Sequence, residues 1–383
     1  MLRLRDCHNV EDFRRLAKQR LPGPIFHYID GAADDEITRR RNTAAFETCD
    51  LVPNVLAGVE EIDISTTLMG RKISMPLILS PTALQRLFHW QGERAVARAA
   101  EAAGTWFGIS SLATVSIEEI GASISTPKLF QLYVHKDRGL NQAMIARCKA
   151  AKFDAIALTV DTIVGGNRER CKRTGFTSPP RLTLRSIASF AAHPAWAANH
   201  YLRERFELSN LKDHVGEGSK IALSVADYFN TMLDQSMDWT TAEQIRAEWG
   251  GTFCLKGVMS VEDARRAVAI GADAIMVSNH GGRQLDGSRA PFDQLAEIVD
   301  AVGDRIEVIC DGGIRRGTHV LKALSVGAHA CSGGRLYLYA LAAAGEQGVT
   351  RSLANLREEI VRGMKLMGKR SLAELGRDNL RWR

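Results

Sequence analysis

The residues of this chain with the clearest chemical potential lie in one stretch, Ser278-Asn279-His280-Gly281-Gly282-Arg283-Gln284-Leu285-Asp286. A histidine can take up a proton near neutral pH. An arginine three residues further on can grip a carboxylate with its planar guanidinium fork. A base beside an anion clamp is what removal of a proton next to a carboxylate requires. The stretch follows Ala274-Ile275-Met276-Val277, an apolar run that reads as a buried strand. Taken alone, His-x-x-Arg would also describe a polar turn with a surface histidine, so its meaning depends on the elements that position it.

Those elements form a rhythm. Apolar strands near Leu77–Leu79, Thr105–Ile109, Leu129–Leu132, Ala155–Val160, Phe253–Leu255, Ala274–Val277, Glu307–Ile309 and Ala328–Cys331 alternate with helix-like segments. The helical segments include Gly92–Ala103, Arg138–Ala151, Val261–Ile270, Phe292–Val302 and Thr318–Val326. Eight strands alternating with helices predict parallel βαβ units. Eight such units close into a (β/α)8 TIM barrel, an α/β fold whose functional groups sit at the strand C-termini.

Residues 1–60 read as a helical lead-in: Val10 to Arg20 is periodic, and Leu21-Pro22-Gly23-Pro24 stops it. The segment from Ile25 to Ala33, including His27 and Tyr28, carries aromatics into a small-residue turn. The whole of 1–383 is expected to be one domain, with an insertion at 174–239. Strands four and five stand roughly ninety residues apart, where one crossover of about a dozen would serve. The excess holds Ser186-Ile187-Ala188-Ser189-Phe190, Pro194-Ala195-Trp196 and Asp227-Tyr228-Phe229. With Arg181, Arg185, Arg203 and Arg205 it reads as a lid, a subunit contact or a membrane-surface patch.

Each strand end should deliver a functional group. The first four ends offer Ser80-Pro81-Thr82-Ala83, Ser110-Ser111, Gln131-Leu132-Tyr133 and Thr159-Val160-Asp161. Alternation puts Gln131 with Tyr133, and Thr159 with Asp161, on shared faces. The fifth end offers Lys256, the sixth Ser278-Asn279-His280, the seventh Asp311-Gly312-Gly313-Ile314-Arg315 and the eighth Gly333-Gly334-Arg335. Glycines and amides after strands seven and eight form the usual barrel phosphate site, with Arg315 and Arg335 supplying charge. A phosphate beside a ring of polar strand ends suggests a phosphorylated cofactor, with Lys256 placed to stabilise negative charge on its ring.

Composition narrows the setting. The chain has 383 residues, 45% hydrophobic and 25% charged, which is ordinary globular usage. Its N-terminus reaches Asp6 without an apolar run, so no signal peptide is expected, and no stretch approaches a spanning helix. Seven cysteines without C-x-x-C spacing, among them Cys254, Cys310 and Cys331 in apolar runs, suggest buried thiols and a reduced, cytoplasmic setting. The charge of +6 and pI near 9.0 admit nucleic acid, anionic lipid or the substrate of a small-anion enzyme equally, and no nucleic-acid module is visible. No His/Cys/carboxylate cluster has metal spacing. His27, His89, His135, His319 and His329 read as structural or surface residues.

The motifs together resemble the FMN-dependent L-2-hydroxy acid oxidising family, which includes L-lactate dehydrogenase of the cytochrome type, glycolate oxidase, mandelate dehydrogenase and lactate oxidase. The resemblance runs from about residue 8 to residue 376. It is strongest over Ser278 to Asp286 and is backed by Ser80-Pro81-Thr82-Ala83, Phe130-Gln131-Leu132-Tyr133, Thr159-Val160-Asp161-Thr162 and Asp311 to Gly317. It implies FMN as cofactor, with His280 as the base facing the substrate's C2 and Asp161 orienting it. Arg283 and Arg168 would clamp the carboxylate, Tyr28 and Tyr133 would bond the carboxylate and 2-hydroxyl, and Lys256 would stabilise the reduced flavin. Pro81, Thr82, Ala83, Ser110, Gln131, Thr159 and Ser278 would line the ring and ribityl chain. Asp311, Gly312, Gly313, Arg315, Gly334 and Arg335 would hold ribityl and phosphate. Without the resemblance Tyr28 would read as a core aromatic and Asp161 as a loop cap.

The chain departs from the family pattern at two places, the first of which bears on the substrate. Leu112 stands where the glycolate-oxidising branch has tryptophan, which leaves room for a side chain and favours L-lactate or a larger 2-hydroxy acid. Cys331-Ser332-Gly333 replaces bulkier aliphatics before the last Gly-Arg. The segment around His193-Pro194-Ala195-Trp196 looks most like the bacterial lactate dehydrogenase branch. The electron acceptor is expected to be separate: a quinone or cytochrome of the respiratory chain at the membrane's cytoplasmic face, or else oxygen in a soluble oxidase making hydrogen peroxide. A homo-oligomer, by resemblance a tetramer, is expected. A sugar-phosphate enzyme of the same fold, or a protein using FMN only structurally, would not need the second anion clamp of His280, Arg283, Arg168 and Tyr133.

Overall fold

Eight parallel strands, β1 (Leu77–Thr82), β2 (Trp106–Ser110), β3 (Lys128–Leu132), β4 (Ala155–Thr159), β5 (Thr252–Val258), β6 (Ala274–Ser278), β7 (Glu307–Asp311) and β8 (Ala330–Gly333), close into a barrel. The structure, a computed structural model, describes residues 2–175, 183–204, 206–211 and 231–383. Arg181, Arg205 and Asp227-Tyr228-Phe229 of the insertion lie outside the described residues.

The strands form where the sequence runs apolar because both of their faces are covered. Every residue of β2, β3, β4 and β6 is buried. Inside the barrel, Ile78, Trp106, Leu129, Ala155, Ala157, Cys254, Ala274, Met276, Ile309 and Ala330 fill the lower half. A hairpin of Thr66–Leu68 with Arg71–Ile73 seals that end by adding Leu68, Met69 and Ile73 to the same cluster. Each large apolar side chain so buried contributes roughly 1.5–3 kcal/mol. The plugged lower end leaves only the C-terminal mouth for a ligand.

Register aligns the polar ends. Ser110 pairs with Gln131, Thr159 with Lys256 and Ser278 with Asp311, forming one polar layer above the apolar fill. Around the barrel run α4 (Glu93–Ala103), α5 (Ile117–Ser123), α6 (Arg138–Ala150), α10 (Trp239–Trp249), α11 (Val261–Ala269), α12 (Pro291–Val302) and α13 (Gly317–Val326). Several carry side-chain N-caps, as Asp137 accepts from the Leu140 amide and Ser260 from the Asp263 amide. The last helix, α14 (Arg335–Leu366), is interrupted by non-helical backbone at Ala344 and Gly345.

The lead-in folds as α1 (Val10–Arg20), α2 (Gly23–Asp30) and α3 (Ile37–Ala44). After β4 come the short α7 (Glu169–Arg173) and, within the insertion, α8 (Leu184–Ala191) and α9 (Pro194–Tyr201), so its described part holds helices as well as loop. It docks beside the barrel mouth: the Gly23 amide donates to Ser189 Oγ at 2.8 Å, and Trp196 Nε1 to the Leu87 carbonyl at 2.8 Å. Strand β8 begins two residues later than expected, and α5 and α14 are elements that periodicity did not single out. All seven cysteines are buried and unpaired.

Candidate active site

A cavity of about 130 Å³ opens at the C-terminal mouth. Its walls include Ser80, Pro81, Thr82 and Ala83 from the end of β1, Ser110 and Leu112 after β2, Tyr133 after β3, and Lys256 from β5. His280 and Arg283 come from the turn after β6, Asp311, Gly312, Gly313 and Arg315 from the end of β7, and Gly334 and Arg335 from the start of α14. Tyr28 and Arg168 reach the same cavity from α2 and from the N-terminus of α7. Gln131, Thr159, Asp161 and Ser278, also expected here, stand behind this lining. Sequence reasoning missed Ile29, Phe88 and Leu338, which complete the wall. Only their apolar character marked them, and that does not separate a pocket wall from a core.

The turn after β6 is tightly wound. His280, Gly281 and Gly282 all have positive φ, at 57°, 66° and 72°. For a non-glycine residue this left-handed conformation is uncommon and clusters at functional sites. It turns the imidazole back over the barrel, where Nδ1 lies 3.0 Å from Asp161 Oδ1. A carboxylate acceptor fixes the proton on Nδ1, so Nε2 keeps the lone pair and is able to accept a proton. Asp161 approaches this closely because Gly257 sits beneath it at φ 111°, where an added Cβ would come within 2.7 Å of the Asp161 side chain.

On the far side of the cavity are two guanidinium groups. Arg283 and Arg168 lie over the Tyr28 ring, with Cζ 4.9 and 5.6 Å from its centroid. Burial disfavours the charge on Arg283, and Arg168 disfavours it further. Like charges held together in a cavity call for an anion between them. Arg283 is fixed by donating Nη1 to the carbonyls of Tyr28 at 2.7 Å and Gly31 at 3.2 Å. Burial, reinforced by the Asp161 charge, pushes the Tyr133 hydroxyl up, so it stays protonated and can donate.

Beneath lies a buried ion pair. Lys256 Nζ bonds Asp311 Oδ2 and Ser278 Oγ, the latter at 3.1 Å. Asp311 also accepts from Ser80 Oγ at 2.9 Å and Ser278 Oγ at 2.7 Å. Burial alone would raise the Asp311 carboxyl, but the Lys256 charge and these hydrogen bonds outweigh it and hold the group at about 2. Burial alone would lower Lys256; Asp311 and Asp161 overcome that and raise it.

These residues fit FMN. Gln131 Nε2 and Thr159 Oγ1 are buried in the polar layer without a hydrogen-bond partner among the described residues. A flat ring edged with carbonyls and ring nitrogens would satisfy both. Lys256 is a buried cation beside them. The N-terminus of α14 offers backbone amides after Gly334, and Arg315 and Arg335 add charge. Close packing there needs glycine, since a Cβ at Gly313 would fall 1.9 Å from the Asn42 carbonyl. Arg335 does more than expected of it: Nε donates to the Ile29 carbonyl, Nη1 to Gly281 and Nη2 to Gly31, at 2.9, 2.8 and 2.6 Å. No group of three His, Cys, Asp or Glu side chains that could hold a metal ion is found among the described residues.

The known proteins agree with this reading. The sequence model of the FMN-dependent dehydrogenase family matches residues 17–382. An L-lactate dehydrogenase of Vibrio cholerae serotype O1 is 40% identical over 370 residues, covering 96% of this chain and 97% of that protein. Glycolate oxidase 1 of Oryza sativa subsp. indica is 40% identical over 372 residues, covering 97% and 95%. Among solved structures, the monotopic membrane protein (S)-mandelate dehydrogenase superposes with a TM-score of 0.93 at 33% identity, covering 99% of this chain and 100% of that one. Lactate, glycolate and mandelate are all 2-hydroxy acids. With a pocket that fits FMN and a base set opposite paired guanidinium groups, this chain is an FMN-dependent oxidoreductase of 2-hydroxy acids and belongs to the FMN-dependent dehydrogenase family.

Proposed function

We propose that the chain oxidises L-lactate to pyruvate and passes the electrons to a respiratory acceptor. The observation that carries this is the pairing of His280, oriented by Asp161 at 3.0 Å, with Arg283 and Arg168 across one cavity. The guanidinium pair binds the substrate carboxylate and turns C2 toward His280. Tyr28 and Tyr133 complete the cradle for the carboxylate and the 2-hydroxyl. Conversion of the hydroxyl-bearing carbon to a ketone releases two electrons and two protons: His280 Nε2 accepts one proton, Asp161 stabilises the imidazolium that forms, and the other proton leaves with the two electrons. FMN, when bound, supplies the sink for the two electrons. Lys256 holds a positive charge beside the ring throughout, and fixed charges of this kind need no reorganisation during the reaction. Pro81, Thr82, Ala83, Ser110, Gln131, Thr159 and Ser278 would hold ring and ribityl chain; Asp311, Gly312, Gly313, Arg315, Gly334 and Arg335 would hold ribityl and phosphate.

Substrate size follows from the walls. Leu112, Ala83, Phe88 and Leu338 bound the cavity with aliphatic and aromatic surface. The absence of a large ring at Leu112 favours lactate over glycolate. It also supports a second reading, oxidation of mandelate or a longer 2-hydroxy acid, with oxygen as acceptor in a soluble oxidase. The similarity to (S)-mandelate dehydrogenase favours the larger substrate.

A respiratory acceptor suits a protein that touches a membrane surface. Leu184, Ile187 and Leu202 of the insertion are exposed at 86%, 52% and 81%, with Arg185 and Arg203 also exposed. Apolar and basic side chains on one excursion fit an interfacial contact. No described helix is long and apolar enough to cross a membrane. A homo-oligomer, with a tetramer favoured, completes the reading.

The test is the visible spectrum of purified protein under anaerobic conditions, before and after L-lactate. Bleaching of a flavin band establishes cofactor, reaction and substrate together. Bleaching with mandelate but not lactate keeps the chemistry and replaces the substrate. Rapid reoxidation by air replaces the acceptor with oxygen. A colourless protein that FMN does not reconstitute overturns the assignment.

A further inference from the structure

Asp30, the last residue of α2, is fully buried yet sits among charges. Its Oδ1 accepts from Arg14 Nε at 2.6 Å and from the Tyr339 hydroxyl at 2.8 Å. Its Oδ2 accepts from Arg14 Nη2 at 3.1 Å and Arg170 Nη1 at 2.8 Å, and Arg39 Nη2 stands 3.2 Å from Oδ1. One carboxylate thus gathers α1, α2, α3, α7 and α14. None of these contacts enters the chemistry proposed above.

The chain neighbours of this node do enter it. Tyr28 precedes Asp30 by two residues, and Arg168 precedes Arg170 by two. Two residues of chain reach at most about 7 Å, so neither pocket residue can move far without its anchor. Arg170 also bonds Glu36, which accepts from the Ala32 amide at 3.0 Å. The turn after Asp30 is stitched to both neighbouring loops: the Ala33 amide donates to the Gly282 carbonyl, and the Asp34 amide to the Asn167 carbonyl, each at 2.9 Å.

We propose that Asp30 is a positioning residue for substrate binding, which acts through Arg170 on Arg168 and through its own helix on Tyr28. Arg168 of the clamp and Tyr28 beside it are thereby both referred to one buried anion. The proposal rests on the clamp reading given above. Misplacement of such groups by an ångström is enough to impair binding and orientation. Arg14 provides an internal comparison, because it bonds the same carboxylate from α1, a helix that contributes no residue to the pocket.

The experiment compares Asp30→Asn, Arg170→Lys, Arg14→Lys and Arg283→Lys as FMN-loaded proteins. It measures pyruvate dissociation by calorimetry, KM and kcat for L-lactate, and Tm. Asp30→Asn and Arg170→Lys are expected to raise the pyruvate Kd and the lactate KM tenfold or more, with a smaller fall in kcat. Arg14→Lys is expected to lower Tm comparably while leaving both constants within twofold. A pyruvate Kd within twofold of wild type in Arg170→Lys, or an equal rise in Arg14→Lys, overturns the proposal. If Asp30→Asn does not fold, Arg170→Lys decides alone, since that side chain is partly exposed. Weak pyruvate binding in Arg283→Lys together with normal binding in Arg170→Lys removes only the positioning role. Normal binding in both removes the clamp reading as well.

Discussion

Replacing Lys256 by methionine would strand a buried carboxylate. In the wild-type protein the Lys256 and Asp311 side chains are 4% and 6% exposed, and three donors converge on Asp311. Removing one partner of a buried pair typically costs about 3–5 kcal/mol, because the remaining charge is left uncompensated. For a chain of 383 residues the unfolding entropy near 60 °C is roughly 0.8 kcal/mol/K, so the loss corresponds to about 4–6 °C in Tm. The pH dependence carries a sign. Asp311 is held at about 2, below its ordinary 3.8. Its contribution, about 2.5 kcal/mol by linkage, is complete above the unfolded value and is lost as pH falls through about 2. In Lys256→Met, burial acts without the countercharge and raises the Asp311 carboxyl instead. The deficit of the variant should therefore grow as pH rises from 4 to 8. Lys256→Met/Asp311→Asn, with no stranded charge, should recover most of the loss. Urea unfolding of the four apoproteins at pH 4, 6 and 8 completes the cycle. A single variant within 1 kcal/mol of wild type at pH 8, or a double variant as unstable as the single, refutes the reasoning.

Three further outcomes are expected. Asp161→Asn should lower kcat for L-lactate by about 10²–10⁴-fold with KM little changed, because His280 loses the carboxylate charge that fixes its tautomer and stabilises its imidazolium; a fall below tenfold in steady-state assays removes that role. Leu112→Trp should shift the ratio of kcat/KM for lactate to that for glycolate by at least about tenfold toward glycolate, and an unchanged ratio would show that this wall does not set size. Burial holds His89 and His319 at about 4, so each must stay neutral in the fold. Such stability is complete above about 6.5 and is lost as pH falls from there to 4, by up to roughly 3 kcal/mol per histidine. His319→Phe, stacked on Phe46 at 4.4 Å, should flatten the urea-midpoint slope between pH 7 and 5, and an unaltered slope would contradict this.

The barrel was legible because its strands are covered on both faces and so appear as unbroken apolar runs between turn residues. The strand-end chemistry followed, since alternation and the barrel's open end fix where each polar residue must point. Strand β8 was read two residues early because Ala330-Cys331-Ser332-Gly333 carries none of the bulky β-branched residues that mark a strand. The sealing hairpin was hidden for a similar reason. Its Met69-Gly70 turn has positive φ at both residues, 48° and 70°, but lacks the Asn or Asp that usually announces one. The pocket walls Phe88 and Leu338, and the placement of Tyr28, depend on elements far apart in the chain, and no local period encodes that meeting.

The charge distribution explains why resemblance and geometry converge on the same ligand. Lys256, Arg168, Arg283, Arg315 and Arg335 face one cavity, while Asp161 and Asp311 are the carboxylates set against them. Asp311 is occupied by Lys256, and Asp161 by His280. The remaining guanidinium groups are Arg168 and Arg283 over Tyr28, and Arg315 with Arg335 beside the α14 N-terminus, where Arg335 shares the Gly31 carbonyl with Arg283. Buried like charges persist only where counter-ions complete them. This deficit of negative charge calls for anions, and at the same cavity stand a buried lysine and unpaired polar atoms suited to a flat ring. A phosphorylated ring cofactor with a small carboxylate substrate supplies both the negative charge and the flat ring; a single phosphorylated sugar would bring no ring for those polar atoms.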